Sequence, residues 1–159
     1  MGLRRLTKTV APGGRVEQSL IPAVYAGNGD STDSSTLDLD GWAGGLFVIE
    51  VGNSGDTLAA GLAITLVLEH SDTDTAGAAV DSNDLVVNDF VTEATGVIAL
   101  INAPAEDSAV FTVEYKANHP NAKRYINIRM DRTGNHANGT PVSITGIKLH
   151  PMRSNADGY

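Results

Sequence analysis

Residues 121–130 read NAKRYINIRM. The even positions Ile126, Ile128 and Met130 are apolar, while Lys123, Tyr125, Asn127 and Arg129 place charge, a phenol and an amide on the odd ones. A period of two over that length predicts a β-strand with one face in a core and the other looking outward. Ile126, Ile128 and Met130 are therefore the expected core set. Lys123, Tyr125 and Arg129 form the candidate contact surface.

The same alternation recurs on both sides of this stretch. Leu62, Ile64, Leu66 and Leu68 alternate with Ala63, Thr65, Val67 and Glu69, and residues 46–51 (LFVIEV) read as a strand buried on both faces. Leu37 and Leu39 alternate with Asp38 and Asp40; Val16, Gln18 and Leu20 open a first strand that Pro22 is expected to interrupt. Residues 96–101 and 110–115 supply two more, the second with Phe111, Val113 and Tyr115 on one face, and residues 142–149 the last. Residues 27–30 (GNGD) and 131–140 (DRTGNHANGT) read as turns, because Gly and Asn tolerate positive φ. Residues 70–89 are polar and read as one long connection. Trp42, the single tryptophan, is expected to plug one end of the core.

About eight strands with no amphipathic helix predict an all-β chain. The expected fold is a single β-sandwich of jelly-roll type over residues 15–152. An extended basic arm, residues 1–14, precedes it, and a loose tail, residues 153–159, follows. At 159 residues one domain of this kind buries roughly 70% of the surface its unfolded chain exposes.

Cysteine is absent, which excludes disulfides, thiolate metal sites and a cysteine nucleophile. No stretch approaches the roughly 20 apolar residues of a membrane-spanning helix, and no apolar run of signal-peptide length follows the N-terminus. The expectation is a soluble chain with no membrane partner.

The net charge of −8 is unevenly laid out. Residues 1–15 hold four basic groups, Arg4, Arg5, Lys8 and Arg15, and no acid. Residues 16–115 hold seventeen acids and no base; residues 116–159 hold seven bases and two acids. An acidic body with few aromatics argues against direct nucleic-acid binding, whereas the basic arm suits an acidic protein surface.

The residue patterns of enzymes and metal sites are missing. His70, His119, His136 and His150 stand far apart, with no His-Glu-x-x-His spacing. Residues 72–77 (DTDTAG) begin as a calcium loop does, yet Ala76 occupies the fifth position and Asn83 the twelfth, where the loop needs Glu. There is no Gly-x-Ser-x-Gly elbow and no complete dinucleotide fingerprint. The expectation is a non-enzymatic protein without metal or cofactor.

The order of several short motifs is familiar. LDLDGW at 37–42 runs into the strand through residue 52; LVLEHSD follows at 66–72, then Tyr115-Lys116, KRYINIR at 123–129, and a late strand ending in His150-Pro151. Over residues 35–151 this resembles small virion proteins of tailed bacteriophages, in which an LDL.GW...F.I.VG strand, an LE.SD strand end and a (K/R)RY(I/V).(I/V) strand recur in that order. The resemblance implies a structural protein of the phage head: a capsid decoration or cement protein on the outside of the shell. Its implied partner is the major capsid protein and its implied form a homotrimer. A tail, connector or head-fibre component is the alternative within the particle. A carbohydrate-binding sandwich, using Trp42, Tyr25, Tyr115 and Tyr125, is the alternative outside it. On the decoration reading Arg4, Arg5, Lys8 and Arg15 lie on the capsid protein. Lys123, Arg124 and Arg129 either pair with acids on neighbouring strands or, with Tyr125, meet another subunit.

Overall fold

The computed structural model describes residues 9–10, 14–75, 77–80 and 96–152. Among these residues eleven strands follow one another: β1 (Thr9–Val10), β2 (Gly14–Asn28), β3 (Ser31–Asp33), β4 (Leu37–Asp38), β5 (Trp42–Val51), β6 (Ala63–Ser71), β7 (Ala78–Ala79), β8 (Val97–Ile101), β9 (Ala109–Lys116), β10 (Tyr125–Thr133) and β11 (Asn135–Pro151). They form two antiparallel sheets. One has the order β1-β2-β11-β5-β9; the other runs β3-β10-β6-β7, with β4 also on β10 and β8 also on β6.

The strand count exceeds the expected eight for a simple reason. β3 and β4 lie end to end along β10, and β1 and β7 are two-residue pairings. Counting β3 and β4 as one strand and setting β1 and β7 aside leaves eight strands, which pair first with last and so on inward to the middle two. β2 lies against β11, β3 and β4 against β10, β5 against β9, and β6 against β8. The ladders β11–β5 and β10–β6 complete the two sheets. This nested pairing is the jelly roll.

The inner faces meet as the period-two pattern requires. Phe47, Ile49, Val113, Tyr115, Val142 and Ile144 from one sheet close on Leu37, Ile64, Leu66, Leu68, Ile126, Ile128 and Met130 from the other. Each fully buried side chain of this size contributes roughly 1.5–3 kcal/mol of transfer free energy. Ile126, Ile128 and Met130 are all buried, so the inward face of β10 is as the sequence predicts.

Four expectations change. Pro22 does not interrupt β2. Ile21 and Pro22 bulge together opposite Ser143, between the pairs Leu20↔Ile144 and Ala23↔Val142, and a bulge on an outer strand tolerates a residue without an N–H. The ten-residue turn at 131–140 shrinks to a corner at Gly134, where the chain passes from β10 in one sheet to β11 in the other. Gly134 has φ of 80°, and a Cβ there would come within 2.3 Å of the Gly61 carbonyl oxygen. Trp42 does not plug the core: it is half-buried in the outward-facing series of β5 shared with Leu46 and Val48, opposite in parity to Phe47 and Ile49. The connection from 70 begins as a hairpin, since Ala78 and Ala79 pair back on His70 and Glu69.

Of the expected arm, Thr9 and Val10 pair with Arg15 and Gly14. Arg4, Arg5 and Lys8, the tail 153–159 and residues 81–95 lie outside the described residues.

Candidate functional site

The outward face of β10 is built by its position between β3 and β4 on one side and β6 on the other. Antiparallel register places Tyr125 opposite Asp38, Asn127 opposite Glu69 and Arg129 opposite Asp33. Each of these β10 residues thereby faces an acid of a neighbouring strand, and at Arg129 the pair is of opposite charge, the arrangement that stabilises cross-strand pairs.

At the centre of this face the Arg129 guanidinium bonds the Glu69 carboxylate through Nη1 and the Asp131 carboxylate through Nε at 2.9 Å. Asn127 Nδ2 donates to the other Glu69 oxygen at 3.1 Å. The Glu69 side chain is 1% exposed and that of Arg129 34%. A carboxylate so deeply buried requires these partners, because an isolated ion there would carry a desolvation penalty of several kcal/mol. Asn127, which alternation alone places in solvent, is buried for the same reason.

Toward one end, Arg124 makes a two-pronged bond to Asp38, with Nε and Nη2 each 2.8 Å from a carboxylate oxygen. It also approaches Asp40 at 3.5 Å. The Arg124 hydrogen bonds hold the Asp38 carboxyl down at about 2. The same guanidinium lies 5.0 Å from the centroid of the Tyr125 ring, within cation–π range. Lys123 stands 3.9 Å from Asp72. Arg15, remote on β2, pairs with Glu17 at 3.2 Å. Each described candidate cation thus has an intrachain acidic partner, and Tyr125 sits under one of them.

A second polar cluster spans the two sheets. The Lys123 backbone N–H donates to Tyr115 Oη at 2.8 Å, and Tyr115 Oη lies 2.8 Å from His70 Nδ1. The phenol oxygen accepts the amide bond and shares a second one with Nδ1, in which the histidine tautomer sets the donor. Burial pushes the Tyr115 phenol up to about 12, so the hydroxyl keeps its own hydrogen. β9, β6 and the segment entering β10 are tied together at this point.

Sequence reasoning named the cations of this face but not the acids that position them. Glu69 was legible only as the polar member of an apolar alternation, and Asp38 as one of two acids on a short strand. Arg132 was overlooked: it is buried at the corner end of β10, where its guanidinium bonds the Ala26 and Asp30 carbonyls. The aromatic residues do not gather. Trp42 belongs to the outer series of one sheet, Tyr125 to that of the other, and Tyr115 to the core. Among the described residues no group of three His, Asp or Glu side chains converges as metal ligands.

No family model matches the sequence. No curated protein matches it either. Among solved structures, a chain in a structure of infectious bursal disease virus, Gt strain, aligns over 95% of this chain at 17% identity and a TM-score of 0.20. This chain spans 44% of the length of that one. Overlap at that score is too slight to define the fold, which rests on the strand pairing itself.

Proposed function

We propose that this chain is a non-enzymatic virion structural protein: a decoration protein that sits outside a tailed-phage head and stabilises the shell across capsomer boundaries. The observation that carries the reading is the convergence of the motif segments. LDLDGW supplies β4 and Asp38, LVLEHSD supplies the end of β6 and Glu69, and KRYINIR supplies Arg124 and the start of β10. These segments lie far apart in sequence, yet β4, β10 and β6 are neighbours in one sheet. Their charged residues bond one another as Arg124–Asp38 and Arg129–Glu69. The resemblance therefore rests on a single interlocking module rather than on scattered strand-like fragments.

The charges of that module are internally matched, so attachment to the shell falls to the basic N-terminal stretch. Arg4, Arg5 and Lys8 precede β1, and Arg15 presents a side chain 48% exposed beside it. Its partner is an acidic surface of the major capsid protein, and the decorating form is a homo-oligomer, a trimer on the resemblance. Contacts of this type weaken as salt rises.

Deleting residues 1–8 tests this reading, because it removes three cations and leaves the pairing of Thr9–Val10 with Gly14–Arg15 in place. The truncated chain is expected to keep its melting temperature and lose occupancy on purified heads that lack the protein, with the intact chain binding less as salt increases. Full occupancy after truncation rules out the arm. A copy number of a few per particle, confined to the tail end, rules out decoration.

A further inference from the structure

Of the large apolar side chains among the described residues, five are exposed: Ile21 at 69%, Val24 at 60%, Leu100 at 43%, Val110 at 64% and Met152 at 55%. Four of the five lie on opposite edges of the sandwich. Ile21 and Val24 belong to β2, which beyond its short pairing with β1 forms a ladder among the described strands only with β11. Leu100 and Val110 belong to β8 and β9, the strands at the far edge of the two sheets. Between β8 and β9 opens a cavity of about 340 Å³, lined by Ile98, Leu100, Ala105, Glu106, Ala109 and Phe111.

We propose that these edges bind each other in a second copy of the chain: the Ile21–Val24 ridge of one molecule enters the β8–β9 groove of the next. Ridge and groove are alike in lacking charge. Residues 16–115 carry seventeen acids, yet residues 18–29, 96–105 and 108–113 carry no charge at all. Glu106, the one charged lining residue, turns its carboxylate to the Asn102 and Ala103 amides at 2.7 and 3.1 Å. Free edges are ordinarily guarded by charge, and exposed apolar surface at such a place marks an interface.

The ridge is suited to insertion rather than to extension of the sheet. Pro22 has no N–H to donate, and the Ile21 carbonyl already accepts a bond from Tyr25 Oη at 2.9 Å. Every step in the order β2-β11-β5-β9 is antiparallel, so β2 and β9 run in opposite directions. A rotation about an axis along the strands brings the β9 edge of one copy beside β2 of the next with that alternation kept. Contacts between two different patches are heterologous and close into a ring or propagate. The contact requires no capsid partner and stands or falls apart from the decoration reading.

The test is sedimentation of the full chain in three forms: unchanged, Ile21→Asp/Val24→Asp on the ridge, and Leu100→Ser/Ala109→Asp on the groove. The unchanged chain is expected to associate and each variant to sediment as a monomer. An equimolar mixture of the variants retains one intact ridge and one intact groove, and is expected to give a dimer and nothing larger. A monomeric unchanged chain, association that survives either variant, or a mixture that stays monomeric overturns the proposal. The milder Ile21→Ser and Leu100→Thr changes, checked for native circular dichroism, give the same readout should an aspartate variant misfold.

Discussion

Replacing Arg129 with alanine isolates the energetics of the β10 face. Glu69 is 1% exposed and has two partners, the Arg129 guanidinium and the Asn127 amide. Removing one member of a buried ion pair costs about 3–5 kcal/mol, because the remaining charge is left uncompensated. The bond from Asn127 survives, so the lower end, about 3 kcal/mol, applies. For a chain of this length each kcal/mol moves the melting temperature by about 2–4 °C, giving a fall of about 6–12 °C. Glu69→Gln removes the other charge with a different result. Arg129 is one-third exposed and keeps Asp131 at 2.9 Å, so the loss is closer to 1 kcal/mol, as for a partly solvated pair. Glu69→Leu combined with Arg129→Met exchanges the pair for apolar groups of similar size and is expected to recover most of the loss. Urea denaturation with an unchanged m-value measures all three. Equal costs for Arg129→Ala and Glu69→Gln, or a double variant as unstable as Arg129→Ala, would refute the buried-pair account.

Two further outcomes follow from the other polar contacts. Tyr115→Phe removes the hydroxyl that bonds His70 Nδ1 and accepts the Lys123 amide; the expected cost is about 2 kcal/mol in chemical denaturation, about 1 kcal/mol for each hydrogen bond lost, with the native fold kept. Asp38 has a folded-state pKa of about 2 against an ordinary 3.8. Its contribution is therefore complete above pH 3.8 and fades as pH falls through about 2. A carboxyl carbon titration followed by NMR should place the Asp38 midpoint near 2, and in Arg124→Gln it should return toward 3.8.

The sheet architecture was legible wherever side-chain period alone sets burial. Ile126, Ile128 and Met130 on β10, and Ile64, Leu66 and Leu68 on β6, could be assigned to the core without coordinates, since alternation over five or more residues admits one facing. Features fixed by long-range pairing were not visible. Ser31–Asp33 has no apolar residue to mark it, and it becomes a strand only because β10 offers a ladder to it. Residues 135–140, rich in Asn and Gly, read as a turn. They join β11 because His136 pairs with Gly27 and the Asp56 carboxylate receives the Asn138 and Gly139 amides. Trp42 was misplaced because hydrophobicity does not report parity, and parity is counted from neighbours such as Phe47. On the β10 face, Arg129 and Glu69 were each readable as polar members of their strands. Their meeting depends on the β6–β10 register, which the sequence does not spell out.

The position of β11 bears on how the molecule is made. This strand is the latest in chain order, yet it lies in the interior of its sheet, hydrogen-bonded to β2 on one side and to β5 on the other. Until residues 135–151 leave the ribosome, β2 and β5 have no ladder between them, and Phe47 and Ile49 lack their same-face neighbours Val142 and Ile144. At roughly 5–20 residues per second of synthesis, the growing chain spends seconds as an open half-sandwich with apolar strand edges exposed. Closure then depends on contacts spanning more than a hundred residues, as in the pair Arg15↔Lys148, which places the chain among slow-folding topologies. During that interval the acids of residues 16–115 keep nascent chains apart by charge, and the burden of solubility rests on them before any sheet is complete.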